Sequence, residues 1–415
     1  MSSFSIALSG LTASSSDLDI TANDIANANT VGFKGSRAEF ADVYASGAVN
    51  LNTSVTGEGV RLASTAQQFT QGNISTSSSN LDLAISGDGF FTLKDANGVV
   101  YSRNGQFAED SSGNVVSSTG QALQVYPPLV SGGFNTGALS DLNLQTAQSA
   151  PQSTTTGTVI LNLPAGAPVP TVPAFDPANS LTYNQSTSTT IYDSLGQSYP
   201  ATMYFVQTAA PNVVDVYMTV NGTPVNATVA NPNGVPQPLT FSNTGAVTAP
   251  VGGGVTFGGF TPPDGAQAMN MNFNFGQTTQ YGGGFGVTSI TQNGFATGQL
   301  STVAIDSSGI VSAVYTNGRS TQLGQLAMAN FPNPQGLKQL GDTNWSETFT
   351  SGNVVQGTAS SAGFGSIQSG ALESSNVDLT TELVNMITAQ RSFDSNAQVI
   401  TTANQESQTV IQISH

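Results

Sequence analysis

The sequence predicts a mainly β chain with paired terminal α-helices, layered into several domains. Both ends carry apolar repeats of helical period, and the interior alternates apolar and polar residues between Gly-rich turns. Charged residues make up only 8% of the 415, against roughly 25% in an ordinary globular chain. Gly, Ser, Thr, Asn and Gln take up that share, as in turn-rich β proteins. The hydrophobic fraction of 38% is enough to build real cores.

The helices come first. Phe4, Leu8, Leu11, Ser15, Leu18, Ala22 and Ile25 recur at 4-3 spacing, the mark of a heptad seam. Leu379, Leu383, Met386, Gln390, Phe393, Ala397, Ile400, Asn404, Ser407 and Ile411 repeat the pattern at the other end. Asn376 or Asp378 is placed to cap the second helix, with Glu382 in its first turn. Each stripe is narrow and broken by polar residues, and a lone helix of this length is marginal in water. The two are therefore expected to lie along each other, with left-handed supercoiling. In that pairing Phe4, Leu8, Leu11, Leu18 and Ile25 face Leu379, Leu383, Met386, Phe393 and Ile400, or else each faces a neighbouring subunit. A simpler reading has both helices capping one globular core.

The strands follow. Leu81, Leu83 and Ile85 alternate, break at Gly87-Asp88-Gly89, and resume at Phe91 and Leu93. A D-x-x-G turn recurs from Asp95, Asp110, Asp193 and Asp306. Asp at the first turn position accepts from local backbone N–H groups, so these read as hairpins and not as calcium loops, whose full ligand set is missing. Prolines between 164 and 178 suggest an extended linker or edge at a domain boundary. Asn221-Gly222 marks a hairpin, and Met269, Met271, Phe273 and Phe275 alternate with asparagines as one strand with a dry face and a wet face. The expected division is a terminal helical domain of 1–35 and 370–415, a connecting segment of 36–75, an inner β domain of 76–150 and 280–369, and an outer inserted β domain of 151–279.

No catalytic, cofactor or metal site emerges. The one histidine is His415, cysteine is absent, and there is no phosphate loop. Gly87 and Gly89 precede a strand and fail the dinucleotide context. Trp345 and the tyrosines read as core or interface residues. The net charge of −16 argues against a nucleic-acid partner, and no apolar run is long enough for membrane insertion. The first residues, MSSFSIALSGLTASSSD, lack the basic region and unbroken apolar core of a signal peptide, so export would take another route.

DIANANTVGFKGSR at 24–37 resembles the signature of bacterial flagellar rod, hook and hook-associated axial proteins, through Asn27, Asn29, Gly32, Phe33 and Lys34. SSNVDLTTELVNMITAQRSFDSNAQVI, with Asn376, Val377 and Asp378, is similar to that family's closing helix. LDLAISGDGFF and YSRNGQFAEDSSGNVV resemble its inner β domain. TTIYDSLGQSYPATMYFV, QNGFATGQLSTVAIDSSGIVSAVYTNGR and LGQLAMANFPNPQGLKQLGDTNWSETFTSG are similar to its hook branch; only about 145–180 and 208–270 remain unplaced. The resemblance implies a homopolymer of many copies in the extracellular flagellum, exported by the flagellar type III apparatus without cleavage. It implies terminal helices lining a tube, β domains further out, and contacts with the hook cap protein, the distal rod protein and the hook-filament junction proteins. The role implied is mechanical: a curved, flexible tube that passes torque as a universal joint. The role of the 27–34 motif stays open between a helix-ending turn and an export signal. A distal-rod-type subunit is the rival within the family, disfavoured by the long insertion. A secreted β-rich adhesin or enzyme is the rival outside it, disfavoured by the absence of tandem repeats.

Overall fold

The computed structural model describes residues 3–43, 57–145, 148–226 and 228–413. The chain divides into two compact units, Met1–Gln145 with Thr302–Val314 and Ser320–His415, and Thr146–Ser301 with Tyr315–Arg319.

In the first unit, helix α1 spans Ser3–Ala26 and helix α2 spans Leu379–Ile413. Gly10 of α1 faces Asn396 of α2, and Asp24 lies near Glu382, so the helices run antiparallel. An antiparallel hairpin, Ser36–Asp42 with Val60–Gln67, also packs on α1. Beyond it lies a twelve-stranded sheet that interleaves the two ends of the chain. Strand Ser320–Asn330 pairs with Val125 and Tyr126 and with Phe90 and Phe91. Two short ladders bind the halves again: Leu83–Ser86 with Ser366–Ser369, and Ile74–Thr76 with Ala371–Glu373. One core gathers Leu83, Phe91, Leu123, Leu326 and Met328. In a second core Trp345 is buried against the edges of Phe69 and Phe90.

All four D-x-x-G turns form by the expected chemistry. The carboxylate of Asp95 accepts from Asn97 N, that of Asp110 from Ser112 N and Asn114 N, that of Asp193 from Leu195 N and Gln197 N, and that of Asp306 from Ser308 N and Ile310 N. The glycine that closes each turn has positive φ.

The second unit is a two-sheet β structure. Strands Gln185–Tyr192, Ser198–Gln207, Val213–Val220, Gln237–Phe241 and Val247–Ala249 form an antiparallel meander. The other sheet is mixed: Thr156–Pro164 pairs in parallel with Met269–Asn274 and Thr279–Tyr281, and antiparallel with Gly286–Gln292. Met203, Phe205 and Met218 from one sheet share a core with Phe257, Met271 and Phe273 from the other. The alternation over 269–275 is realised, apolar side chains buried and asparagines out.

Two boundaries differ from the expectation. Residues 280–301, assigned from the sequence to the inner domain, belong to the second unit, because Gly286–Gln292 pairs along 157–162. The proline-rich stretch 164–178 is not a linker between units. It lies within the second unit, where Phe175 is buried and stacks on Tyr217 at 4.1 Å.

Candidate assembly site at the paired termini

The helix pair uses a seam one step away from the one expected. On α1 the positions in line with the Gly10 and Asp24 contacts are Ala7, Gly10, Ser14, Asp17, Thr21 and Asp24, all buried or half-buried. On α2 the corresponding line is Glu382, Met386, Ala389, Phe393, Asn396, Ile400 and Ala403. One side of the seam is therefore small or polar, which lets the backbones approach. A Cβ on Gly10 would sit 2.8 Å from Asn396 Oδ1.

The large apolar residues are left largely outside. Phe4, Leu8, Leu379 and Leu383 are exposed, at 40%, 46%, 45% and 45%, and so are Ile6, Val384, Ile387 and Val399. Leu11, Leu18 and Ile25 are half-buried, as are Met386, Phe393 and Ile400. The side chains of Ser407 and Ile411, and His415, lie outside the described residues.

The two motif segments meet at the base of the helices. Asn27 folds its side-chain amide back onto the Asn23 carbonyl at 2.9 Å, ending α1. Asn29 is exposed. Gly32 has φ 69°, donates its N–H to the Glu373 carbonyl, and has Asn104 N 2.5 Å from where a Cβ would stand. Phe33 is buried. Lys34, fully buried, reaches Glu373 Oε1 at 2.6 Å and the Thr70 carbonyl at 2.8 Å. Glu373 also accepts from Gly72 N at 2.8 Å and from Arg103 at 3.3 Å. Burial pushes the Lys34 and Arg103 pKa values down, while Glu373 opposes that shift in both.

Of the two cap candidates, Asp378 takes the role, accepting from Thr381 N at 2.8 Å, a bond that holds its carboxyl below the usual range. Asn376 instead clasps the base: its Oδ1 accepts from Gly35 N at 2.9 Å and its amide donates to the Gln68 carbonyl at 2.7 Å. Val377 is half-buried, its Cγ2 3.2 Å from where a Gly35 Cβ would stand. Asp24 is buried, and its Oδ2 accepts from Ser36 N at 2.8 Å. Burial, with Glu382 nearby, raises it to about 6 against the pull of the Ser36 bond.

Asp24, Arg103, Glu373 and Gly10 carry this junction and escaped the sequence reading. Their signal in the sequence was faint: Arg103 is one of only 8 lysines and arginines in the chain. Among the described residues, no group of three His, Cys, Asp or Glu side chains gathers as a metal site, and no helix is long and apolar enough to cross a membrane.

Comparison with known proteins follows the same segments. Residues 4–34 match the flagella basal body rod protein model, and 84–161 the flagellar hook protein FlgE/F/G D1 domain. Residues 162–295 match the flagellar basal body protein FlaE D2 domain, and 368–413 the flagellar basal body rod FlgEFG protein C-terminal model. The chain is 37% identical to the flagellar hook protein FlgE of Escherichia coli K12, over 99% of each chain. It is 38% identical to that of Salmonella typhimurium LT2, over 99% of this chain and 100% of the relative. The crystal structure of Helicobacter pylori flagellar hook protein FlgE2 shares the fold at TM-score 0.50 and 14% identity, covering 72% of this chain and 100% of that one. Matched segment by segment by flagellar domains and end to end by hook proteins, the chain belongs to the flagellar hook protein family.

Proposed function

We propose that many copies of this chain polymerise through the terminal helices into the flagellar hook, a curved tube that passes torque from rod to filament. The observation that carries this is the outward display of Phe4, Leu8, Leu379, Leu383, Val384 and Ile387 on helices whose own pairing is made by small and polar residues. Each such side chain still shows about half of its surface, so covering it is worth about 1 kcal/mol, which favours burial of these residues against another copy. Phe4, Leu8, Leu11, Leu18 and Ile25, with Leu379 and Leu383, are the residues proposed to hold copies together, while Met386, Phe393 and Ile400 serve the pairing of the chain's own helices.

Flexibility has a separate source. The second unit carries only Asp176, Asp193, Asp215, Asp264 and Arg319 as charges. Its surfaces would meet those of other copies through polar, nearly uncharged contacts, which are weak and able to slide. The subunit would travel unfolded through the flagellar type III apparatus, assemble beneath the hook cap protein, and join the distal rod protein below and the hook-filament junction proteins above. The absence of cysteine suits such a passage.

Electron microscopy of the purified chain, salted out to polymerise, tests the reading: curved tubes are expected, and straight rigid ones would favour a rod subunit. Leu8→Asp or Leu383→Asp should abolish tubes while circular dichroism stays that of the folded monomer. Normal tubes from both would overturn the helix-face account.

A further inference from the structure

Beside the helix pair, a cleft of about 460 Å³ opens between the end of α1, the start of α2 and the chain around Gln68. Asp17, Asp24 and Glu382 line it, with Asn385 and Thr388 beside them and Arg37 among its lining residues. Its chemistry is incomplete. Asp24 is only 2% exposed, yet its Oδ1 has no hydrogen-bond partner. A buried acceptor left in that condition is costly, and more so when charged. Burial raises Asp17 and Asp24 alike, and Glu382 adds to the shift of Asp24.

Resting on the polymer reading above, we propose that this cleft receives the Arg391 guanidinium of a second copy of this chain. The three carboxylates are not clustered tightly enough to share a metal ion. A planar group with five N–H donors suits carboxylates spread along a cleft. The charge pattern points to the donor. Across α1 and α2 stand Asp17, Asp19, Asp24, Glu382, Asp394 and Glu406, against a single cation, Arg391. Arg391 is exposed on α2, and the ion pairs among the described residues engage Lys34, Arg37, Lys94 and Arg103 instead. Arg61 and Lys338 sit on strands, so on the helices proposed to meet, Arg391 is the one cation available.

Arg391 stands outside the cleft lining, one helical turn beyond Thr388, so each copy offers a donor beside its receptor. Used head to tail, such a contact generates a ring or an open helical array. The arriving cation would also favour the ionised form of the cleft carboxylates, its attraction offsetting the repulsion between Asp24 and Glu382.

Charge reversal tests it. Arg391→Glu alone, and Asp17→Arg with Glu382→Arg alone, should each raise the critical concentration for assembly by about tenfold or more. An equimolar mixture of the two variants should assemble near the wild-type concentration, because each then meets its opposite in trans. Rescue by the mixture also rules out damage to the helix pair itself, because Asp17 and Glu382 lie on the seam and a variant with a broken seam would not assemble with any partner. Failure of the mixture to rescue, or normal assembly of either variant alone, overturns the contact while wild-type tubes leave the polymer reading standing. Absence of wild-type tubes would sink both. The cysteine-free chain allows a second readout: Glu382→Cys and Arg391→Cys chains, mixed, assembled and oxidised, should give covalent dimers on a non-reducing gel. Exclusively monomeric protein from those tubes would also overturn it.

Discussion

Glu373 joins residues from distant parts of the chain, accepting from Lys34, Gly72 N and Arg103 within a buried site. Breaking a buried ion pair from one side costs about 3–5 kcal/mol, since the partner charge remains. Glu373→Gln strands two cations and should cost that much in urea unfolding. Lys34→Met leaves Glu373 with Arg103 and should cost clearly less; equal losses would contradict the hub role. Asp24 gives a pH signature. Its folded pKa of about 6 lies above the ordinary 3.8, so between those values the folded monomer holds a proton that the unfolded chain has released. Stability from this group is full below the lower value and is lost as pH rises through the upper one, by on the order of 2–3 kcal/mol. Asp24→Asn should remove that part of the slope from monomer unfolding measured between pH 4 and 7. None of these roles was visible in the sequence, because each depends on a partner brought in by folding: Lys34 and Glu373 are 339 residues apart.

At the level of elements, close approach of α1 to α2 rests on Gly10. Alanine is normally worth about 1 kcal/mol over glycine inside a helix. Here its Cβ would press on Asn396, so Gly10→Ala should destabilise the wild-type chain and stabilise an Asn396→Ala background, as read from thermal loss of helical dichroism. The same sign in both backgrounds would mean that the contact does not limit the packing. The existence of both helices and all four Asp turns was legible, since heptad period and side-chain-to-backbone bonds are local. The choice of seam was not. A count of large apolar residues selects Phe4 and Leu8, whereas the pairing surface is Ala7, Gly10 and Ser14. The sequence alone does not distinguish an apolar residue buried by its own chain from one left facing outward.

For the whole molecule, separate cores in the two units predict two unfolding transitions. Phe273→Ala should lower only one, by about 3–5 kcal/mol, and Glu373→Gln only the other; a single transition moved by both would show the units to be one cooperative body. The insertion was legible as β structure, but its return point was missed because Gly286–Gln292 pairs with a strand more than a hundred residues earlier, a long-range choice that alternation does not encode. The Lys34–Glu373 bond and the ladder of Ile74–Thr76 with Ala371–Glu373 also fasten the two ends of the chain to each other. Tension applied along α1 and α2 therefore passes from one terminus to the other through this clasp. The polypeptide between the fastened points is shielded from that pull while the clasp bears the force.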